Sequence, residues 1–338
     1  MIPQAARERM EKQQYRFVGN HSAVKVCGWT KNMLTQKGGC YKFLFYGIRS
    51  HQCMQMTTSM FCANRCTFCW RGDKAPVSRD WYGPIDEPSV IINEATQAHL
   101  KLLCGYSGHP KVNKNMIEQY KDVKHVALSL TGEPITYPLI DEILSEFHKR
   151  RVSTFLVTNA QYPEALRKIR NCTQLYISVD APNKELIKDV DRPLFPDYYE
   201  RLLECLDILK EKPFRTCIRL TIVKGVNDTD LDGYEKLIER AAPDFIEVKG
   251  YMHVGASRDY LERHNMPLHD EVKTFTEQLL DVFVNYEVIA EHGPSRVVCL
   301  RRKGGPKRYI DFHKFFDIVN DGNIAGASEY SSDRMMPN

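Results

Sequence analysis

The sequence predicts an α/β fold, a partial (β/α)6 barrel related to the closed (β/α)8 barrel but open on one side. Three observations lead there. From residue 52 to 285 short apolar runs alternate with helical periodicity, and successive βα units with right-handed crossovers build a parallel sheet. Polar and glycine residues recur just after each predicted strand, where a parallel barrel gathers its reactive groups. Three cysteines, Cys62, Cys66 and Cys69, occupy the first of those strand ends in a C-x3-C-x2-C spacing. The expected organisation is an N-terminal extension over 1–51, the barrel over 52–285 and a C-terminal extension with a basic loop over 286–338.

Taken in order, Tyr15 to Ser50 is rich in Gly, Lys and aromatics with weak periodicity. Gln52 to Thr58 reads as the first strand, feeding the cysteine loop. Val90 to Leu103 has helical periodicity, with Ser89 as its N-cap. His125 to Leu130 is a buried-strand pattern closed by Thr131-Gly132-Glu133-Pro134, and a helix follows from about Pro138 to Arg150. Thr154 to Val157 is a strand, and Pro163 to Arg170 a helix opened by proline. Gln174 to Val179 is a strand, followed by helical stretches from Lys184 and over Asp197 to Lys210. Arg215 to Val223 and Phe245 to Met252 are strands, with helices over Leu231 to Arg240 and His269 to Val284 behind them. Beyond Tyr286 there are two short strand patterns and the basic loop Lys303-Gly304-Gly305-Pro306-Lys307.

Composition narrows the function classes. Hydrophobic residues at 43% and charged residues at 27% describe a globular chain. No apolar run is long enough to span a bilayer, and Met1 to Gln14 is too charged for a signal peptide, so the expected compartment is the cytoplasm, with no membrane partner. In that reducing setting eleven cysteines, an odd number, read as metal ligands and buried thiols rather than as disulfides. The net charge of +4 hides an asymmetry: residues 1–79 hold thirteen Lys or Arg against three acids. A second basic cluster comprises Arg296, Arg301, Arg302, Lys303, Lys307 and Arg308. A positive region beside a cysteine site suits a polyanion such as RNA.

Cysteine thiolates hold iron–sulfur clusters, and a cubane takes four. A tight loop offering three leaves one iron open to a small molecule. A zinc knuckle would need a second pair of cysteines or histidines close downstream, and none is present. Cys62-Ala63-Asn64-Arg65-Cys66-Thr67-Phe68-Cys69, with Phe68 before the last cysteine, resembles the radical S-adenosylmethionine (SAM) superfamily, in which SAM fills the open iron site. Thr131-Gly132-Glu133-Pro134 resembles that superfamily's Gly-Gly-Glu-Pro motif with Thr131 in place of the first glycine. The resemblance implies that Glu133 accepts from the SAM ammonium, that Asn159 reaches its ribose or carboxylate, and that Ser178 and Asp180 face its ribose. Cys27, Cys40 and Cys53 form a further triplet at intervals of thirteen residues, a ligand set for a second cluster or else three buried thiols. Cys104, Cys172, Cys205, Cys217 and Cys299 lie on helix or strand patterns and read as core.

Together Cys27-Gly28-Trp29, Cys40-Tyr41-Lys42, His51-Gln52-Cys53, the cysteine loop through Trp70-Arg71, Leu130 to Pro134 and Val248-Lys249-Gly250-Tyr251-Met252 resemble the tRNA 4-demethylwyosine synthase family, in its short archaeal form without a flavodoxin-like domain. That resemblance implies a carbon–carbon lyase of wyosine biosynthesis with two 4Fe–4S clusters and SAM. It would act on N1-methylguanosine 3′ of the anticodon in phenylalanine tRNA, condensing it with pyruvate to a tricyclic base. A SAM-derived radical takes hydrogen from the N-methyl group, the resulting carbon adds to the pyruvate carbonyl, and the bond to the carboxylate breaks. Lys42 either forms a Schiff base with pyruvate or pairs with its carboxylate, or the open iron of the second cluster chelates it. The electron donor is unidentified, and a monomer is expected. Trp29, Tyr41, Trp70 and Trp81 are candidate stacking partners for a splayed base. Two other readings stay open: a radical SAM activase or maturase acting on a protein, and a non-catalytic metal-cluster RNA-binding protein.

Overall fold

The computed structural model describes residues 4–71 and 76–336. Its strands are β1 (Arg16–Val18), β2 (Ser22–Val24), β3 (Cys53–Thr57), β4 (His125–Leu128), β5 (Ser153–Thr158), β6 (Gln174–Ser178), β7 (Thr216–Ile222), β8 (Phe245–Gly250), β9 (Tyr286–His292), β10 (Val297–Arg302), β11 (Tyr309–Ile310) and β12 (Ser331–Ser332). One sheet runs β1-β2-β3-β4-β5-β6-β7-β8-β10-β9, and β11 pairs with β12 apart from it. The stretch from β3 to β8 is parallel throughout, which is the predicted (β/α)6 core. Antiparallel pairs close both flanks: β1–β2 beside β3, and β10–β9 beside β8.

Each connecting helix packs by an apolar stripe. In Ile140–Lys149 the buried residues include Ile140, Ile143, Leu144 and Phe147, an i, i+3, i+4, i+7 set, with Asp141 and Glu142 in the first turn and Lys149 in the last. Strand residues alternate: Met54 and Met56 are buried outward under the helices, while Gln55 belongs to the opposite, inward row. Register carries that inward row across the sheet. Gln55 lies beside Ala127 and Phe155, Val157 beside Tyr176, Cys217 and Phe245, and Ser178 beside Arg219 and Glu247.

The helix Pro88–Leu103 departs from expectation at its start. Its N-cap is Glu87, because Pro88, whose fixed φ and missing N–H suit a first turn, sits ahead of Ser89. The weakly periodic extension folds into the β1–β2 hairpin and two short helices, Gly28–Leu34 and Tyr41–Tyr46. Helices Gln4–Lys12, Lys114–Tyr120 and Phe312–Asn320 were not expected either. Among the described residues no helix is long and apolar enough to cross a membrane.

Candidate active site

The loop after β3 is held by its neighbours rather than by its own secondary structure. Arg65 and Thr67 donate backbone N–H groups to Asp191 O (2.9 Å) and Val190 O (2.8 Å) at the end of helix Lys184–Asp191, and Leu194 N–H returns to Ala63 O at 2.8 Å. Cys69 N–H closes a turn onto Cys66 O at 3.0 Å, and the Arg71 guanidinium clasps Met60 O at 2.7 Å. Cys62, Cys66 and Cys69 therefore face one cleft of ≈ 860 Å³, which is also lined by Thr131, Gly132, Glu133, Asn159, Ser178 and Asp180. The structure brings together the loop and the ends of β4, β5 and β6, as the strand-end reading expected. Phe68 borders the same cleft and packs against Val223, Tyr251 and Leu261, so its ring also anchors the loop.

Gly132 is needed for the approach of the two strand ends. Its φ is +66°, and a Cβ there would lie 2.0 Å from Ser59 O. The Glu133 backbone N–H bonds Phe61 O at 2.8 Å, and its carboxylate Oε2 accepts from Asn159 N–H at 3.0 Å. Oε1 is buried and unpartnered. Burial raises the Glu133 pKa to about 7, opposed by hydrogen bonds from Thr158 and Asn159. The Asn159 side chain does something the sequence did not suggest: Nδ2 donates to Cys62 Sγ at 3.3 Å, and Asn64 N–H approaches the same sulfur at 3.4 Å. Asp180 has an unpartnered Oδ1, and burial together with nearby Asp191 raises its pKa well above the carboxylate range.

These features test the fit of the cofactors. A cubane spreads its cysteine ligands over different irons, and Cys62, Cys66 and Cys69 line one cleft together. N–H donors aimed at Cys62 suit a thiolate. Glu133 Oε1, Thr131 Oγ1 and Asp180 Oδ1 are buried, without partners, and line one cleft. A buried polar atom left unpaired costs about 1–3 kcal/mol. An ammonium and ribose hydroxyls would satisfy all three, so the residues fit a cluster with SAM on its open iron.

The second triplet is gathered at the start of β3, the end opposite the cysteine loop. Cys53 opens the strand, and Cys27 and Cys40 stand at the N-caps of the two short helices. Their thiols are mutual electrostatic neighbours; burial, reinforced by Cys27, pushes Cys40 and Cys53 up to about 12. Cys40 N–H is fixed by Ser50 Oγ at 2.8 Å. From Cys40 the helix Tyr41–Tyr46 enters the barrel, and the Lys42 ammonium lies 4.0 Å from the Tyr176 ring centroid and 5.6 Å from that of Phe155. Burial, with Arg219 nearby, lowers the Lys42 pKa. Sequence reasoning missed the network behind it. Glu247 accepts from Tyr41 and Tyr46 hydroxyls, both at 3.0 Å, and from Arg219 Nε at 3.1 Å, while Arg219 Nη2 also donates to the Tyr41 hydroxyl at 3.0 Å. Period-2 alternation along β7 and β8 was the available signal, since it puts Arg219 and Glu247 side by side on the inward row. Lys249, on the same strand as Glu247, is a second buried amine; burial and Arg219 lower its pKa to about 8.

Two expectations are corrected. Most of the late basic cluster is at the wrong end to meet RNA at the cleft: Arg301 pairs with Glu287, Arg302 with Asp244, Lys307 with Asp333, and Arg308 bonds Leu44 O, all around the N-terminal edge of the barrel. Arg296 alone of that cluster lies at the cleft end, where its carbonyl accepts from Gly250 N–H at 2.8 Å. Of the candidate stacking residues, Tyr41 is buried in the Glu247 network, Trp29 packs edge-on to His292, and Trp81 packs edge-on to His21 and Phe61; Trp70 borders the cleft.

A parallel partial barrel with a three-cysteine loop at its first strand end, over a glycine-bounded cleft, is the architecture of the radical SAM superfamily, and the profile of that superfamily matches residues 56–238. Membership carries with it SAM and a 4Fe–4S cluster. A second profile, for wyosine base formation, matches residues 240–302. The S-adenosyl-L-methionine-dependent tRNA 4-demethylwyosine synthase of Arabidopsis thaliana is 45% identical over 98% of this chain and 52% of its own length. A solved structure described as TYW1 with a lysine-pyruvate adduct bound is 37% identical, with a TM-score of 0.81 over 92% of this chain and 99% of that one. A crystal structure of archaeal TYW1 is 34% identical, with a TM-score of 0.75 over 91% of this chain and 99% of that one. The chain belongs to the tRNA 4-demethylwyosine synthase (TYW1) family. It spans about half the length of the curated relatives it matches.

Proposed function

We propose that this chain forms the tricyclic 4-demethylwyosine base from N1-methylguanosine in tRNA and pyruvate, with an external one-electron donor. The observation that carries the reading is Lys42, a buried amine two residues from Cys40, inside a barrel with a cysteine triplet at each end of β3. The solved relative with a lysine-pyruvate adduct supports an amine as the pyruvate anchor. The cluster and SAM, when bound, supply one-electron cleavage of the sulfonium and so a radical able to take hydrogen from the N-methyl group.

The chain's own groups do the rest. Glu133 Oε1 and Asp180 Oδ1 orient SAM. Lys42, held toward its neutral form by burial and by the positive charge of Arg219, attacks the pyruvate keto carbon through Nζ; water leaves and an iminium carbon remains. Glu247 and its two tyrosines hold Arg219 in place beside that amine. In this reading Cys27, Cys40 and Cys53 would hold a second cubane, which would supply Lewis acidity toward the pyruvate carboxylate. A second reading, favoured by its pKa near 8, puts the adduct on Lys249 instead.

The test is anaerobic reconstitution followed by incubation with SAM, pyruvate, dithionite and tRNA carrying N1-methylguanosine, with mass spectrometry of the digested nucleosides. A tricyclic base containing carbon from labelled pyruvate is expected, and its absence while SAM is cleaved would refute the reading. Borohydride trapping with peptide mapping should place the adduct on Lys42; a map pointing to Lys249 selects the alternative.

A further inference from the structure

Beside the SAM cleft lies a separate hollow of ≈ 1280 Å³, lined by residues that include Arg9, Tyr15, Lys25, Trp70 and Arg71. Trp70 and Arg71 border both spaces. The Trp70 side chain is exposed (36%), unusual for so large an apolar ring, while the Tyr15 ring behind it is 1% exposed. The two rings are near-parallel, 18° apart with centroids 6.1 Å from each other, and the Lys25 ammonium stands 4.7 Å from the centre of the Tyr15 ring and 5.5 Å from that of Trp70. The Tyr15 hydroxyl is buried without a partner, close to Cys69 and Arg71.

The Trp70 backbone is anchored beside this hollow. Ala256 N–H donates to Trp70 O at 3.0 Å, and Gly255, at φ +63°, passes so close that a Cβ would lie 2.3 Å from that oxygen. An exposed aromatic face with cations beside it has the chemistry of a nucleotide seat: the base stacks and the phosphate meets the cations. Among the described residues no acidic side chain lines the hollow. An acidic peptide would use the cations but leave the ring idle.

We propose that this hollow seats the flipped-out target purine of the RNA substrate, stacked on Trp70, with Lys25 and Arg9 on its flanking phosphates. The assignment rests on the reading of RNA as the substrate. It places the base next to the cleft that takes SAM, which is where its N-methyl group is needed.

The test uses the reconstituted protein carrying Trp29→Phe and Trp81→Phe, so that Trp70 is its sole tryptophan. It is titrated with a synthetic anticodon stem-loop containing N1-methylguanosine at the target position, and with the same stem-loop made abasic there. Quenching of Trp70 emission by the first RNA is expected. The abasic RNA should bind without quenching, and roughly 5- to 150-fold more weakly, as the loss of one stacked base implies. Binding of both RNAs with the same emission change overturns the seat while leaving RNA as substrate. Binding of neither overturns both. If the double variant does not fold, Lys25→Glu in the native chain is the second measure: RNA affinity should fall and its salt slope become shallower by about one unit, and an unchanged affinity overturns the assignment.

Discussion

Replacing Gly132 by alanine should disable SAM chemistry through geometry alone. The residue adopts φ +66°, which costs a non-glycine residue about 1–2 kcal/mol. The larger effect is steric: the new Cβ would sit 2.0 Å from Ser59 O, so the end of β4 and the start of the cysteine loop must part by about 1 Å to reach even a tight 3.0 Å contact. That movement pulls Glu133 from Phe61 O and shifts Oε1 relative to the three thiols. A displacement of about 1 Å at a reacting centre costs on the order of 100-fold. Gly225 provides the control, because it has a similar φ of +73° with nothing within 4 Å of where a Cβ would stand. Dithionite-driven SAM cleavage without RNA is the assay, with iron content measured alongside. Gly225→Ala should cleave SAM within a few-fold of wild type and Gly132→Ala about 100-fold more slowly. Equal rates in the two variants would refute the argument that the close approach, rather than backbone strain, sets this cleft.

Asn159→Ala removes the N–H donor from Cys62 Sγ and should lower the potential of the SAM cluster, since hydrogen bonds to the sulfurs raise it; an EPR-monitored redox titration with no shift would contradict this. His99→Leu should stabilise the protein, because both ring nitrogens are buried without partners. Burial lowers the folded His99 pKa to about 4, so the unfolded chain takes up the proton first and the stability present above pH 6.5 is lost as pH falls toward 4. The variant should escape that loss, worth roughly 2 kcal/mol at pH 5, in denaturant melts followed at pH 7 and 5; parallel acid limbs would count against it. Lys303→Glu with Lys307→Glu reverses charge at the N-terminal edge of the barrel and should leave RNA affinity and its salt slope unchanged, whereas a slope shallower by about two units would mean that this end binds phosphate.

The barrel was readable in advance because its signals are local. The short apolar runs that mark His125 to Leu128 or Phe245 to Gly250 are carried by adjacent residues, and so is the helical stripe of Ile140, Ile143, Leu144 and Phe147. The short helices Gly28–Leu34 and Tyr41–Tyr46 left no such trace, since six or seven residues make too few turns to show a period and are held by packing onto the barrel instead.

The site divides the same way. By itself the sequence determined the three-cysteine loop and its strand-end companions Glu133, Asn159 and Asp180, because ligand spacing in one loop and the place of a strand end are short-range properties. Only the tertiary structure decided that Cys27, Cys40 and Cys53 come together from residues thirteen apart, and that Lys42 reaches the Tyr176 ring. It also decided that Arg301 to Arg308 answer acids and carbonyls at the far end of the barrel, while Tyr15, Lys25 and Trp70 meet beside the cleft. Those juxtapositions depend on sheet register and on which way a strand returns: β10 runs antiparallel to β8, so each residue from Arg296 to Arg302 steps further from the reactive rim. A charge pattern along the chain carries no information about that direction.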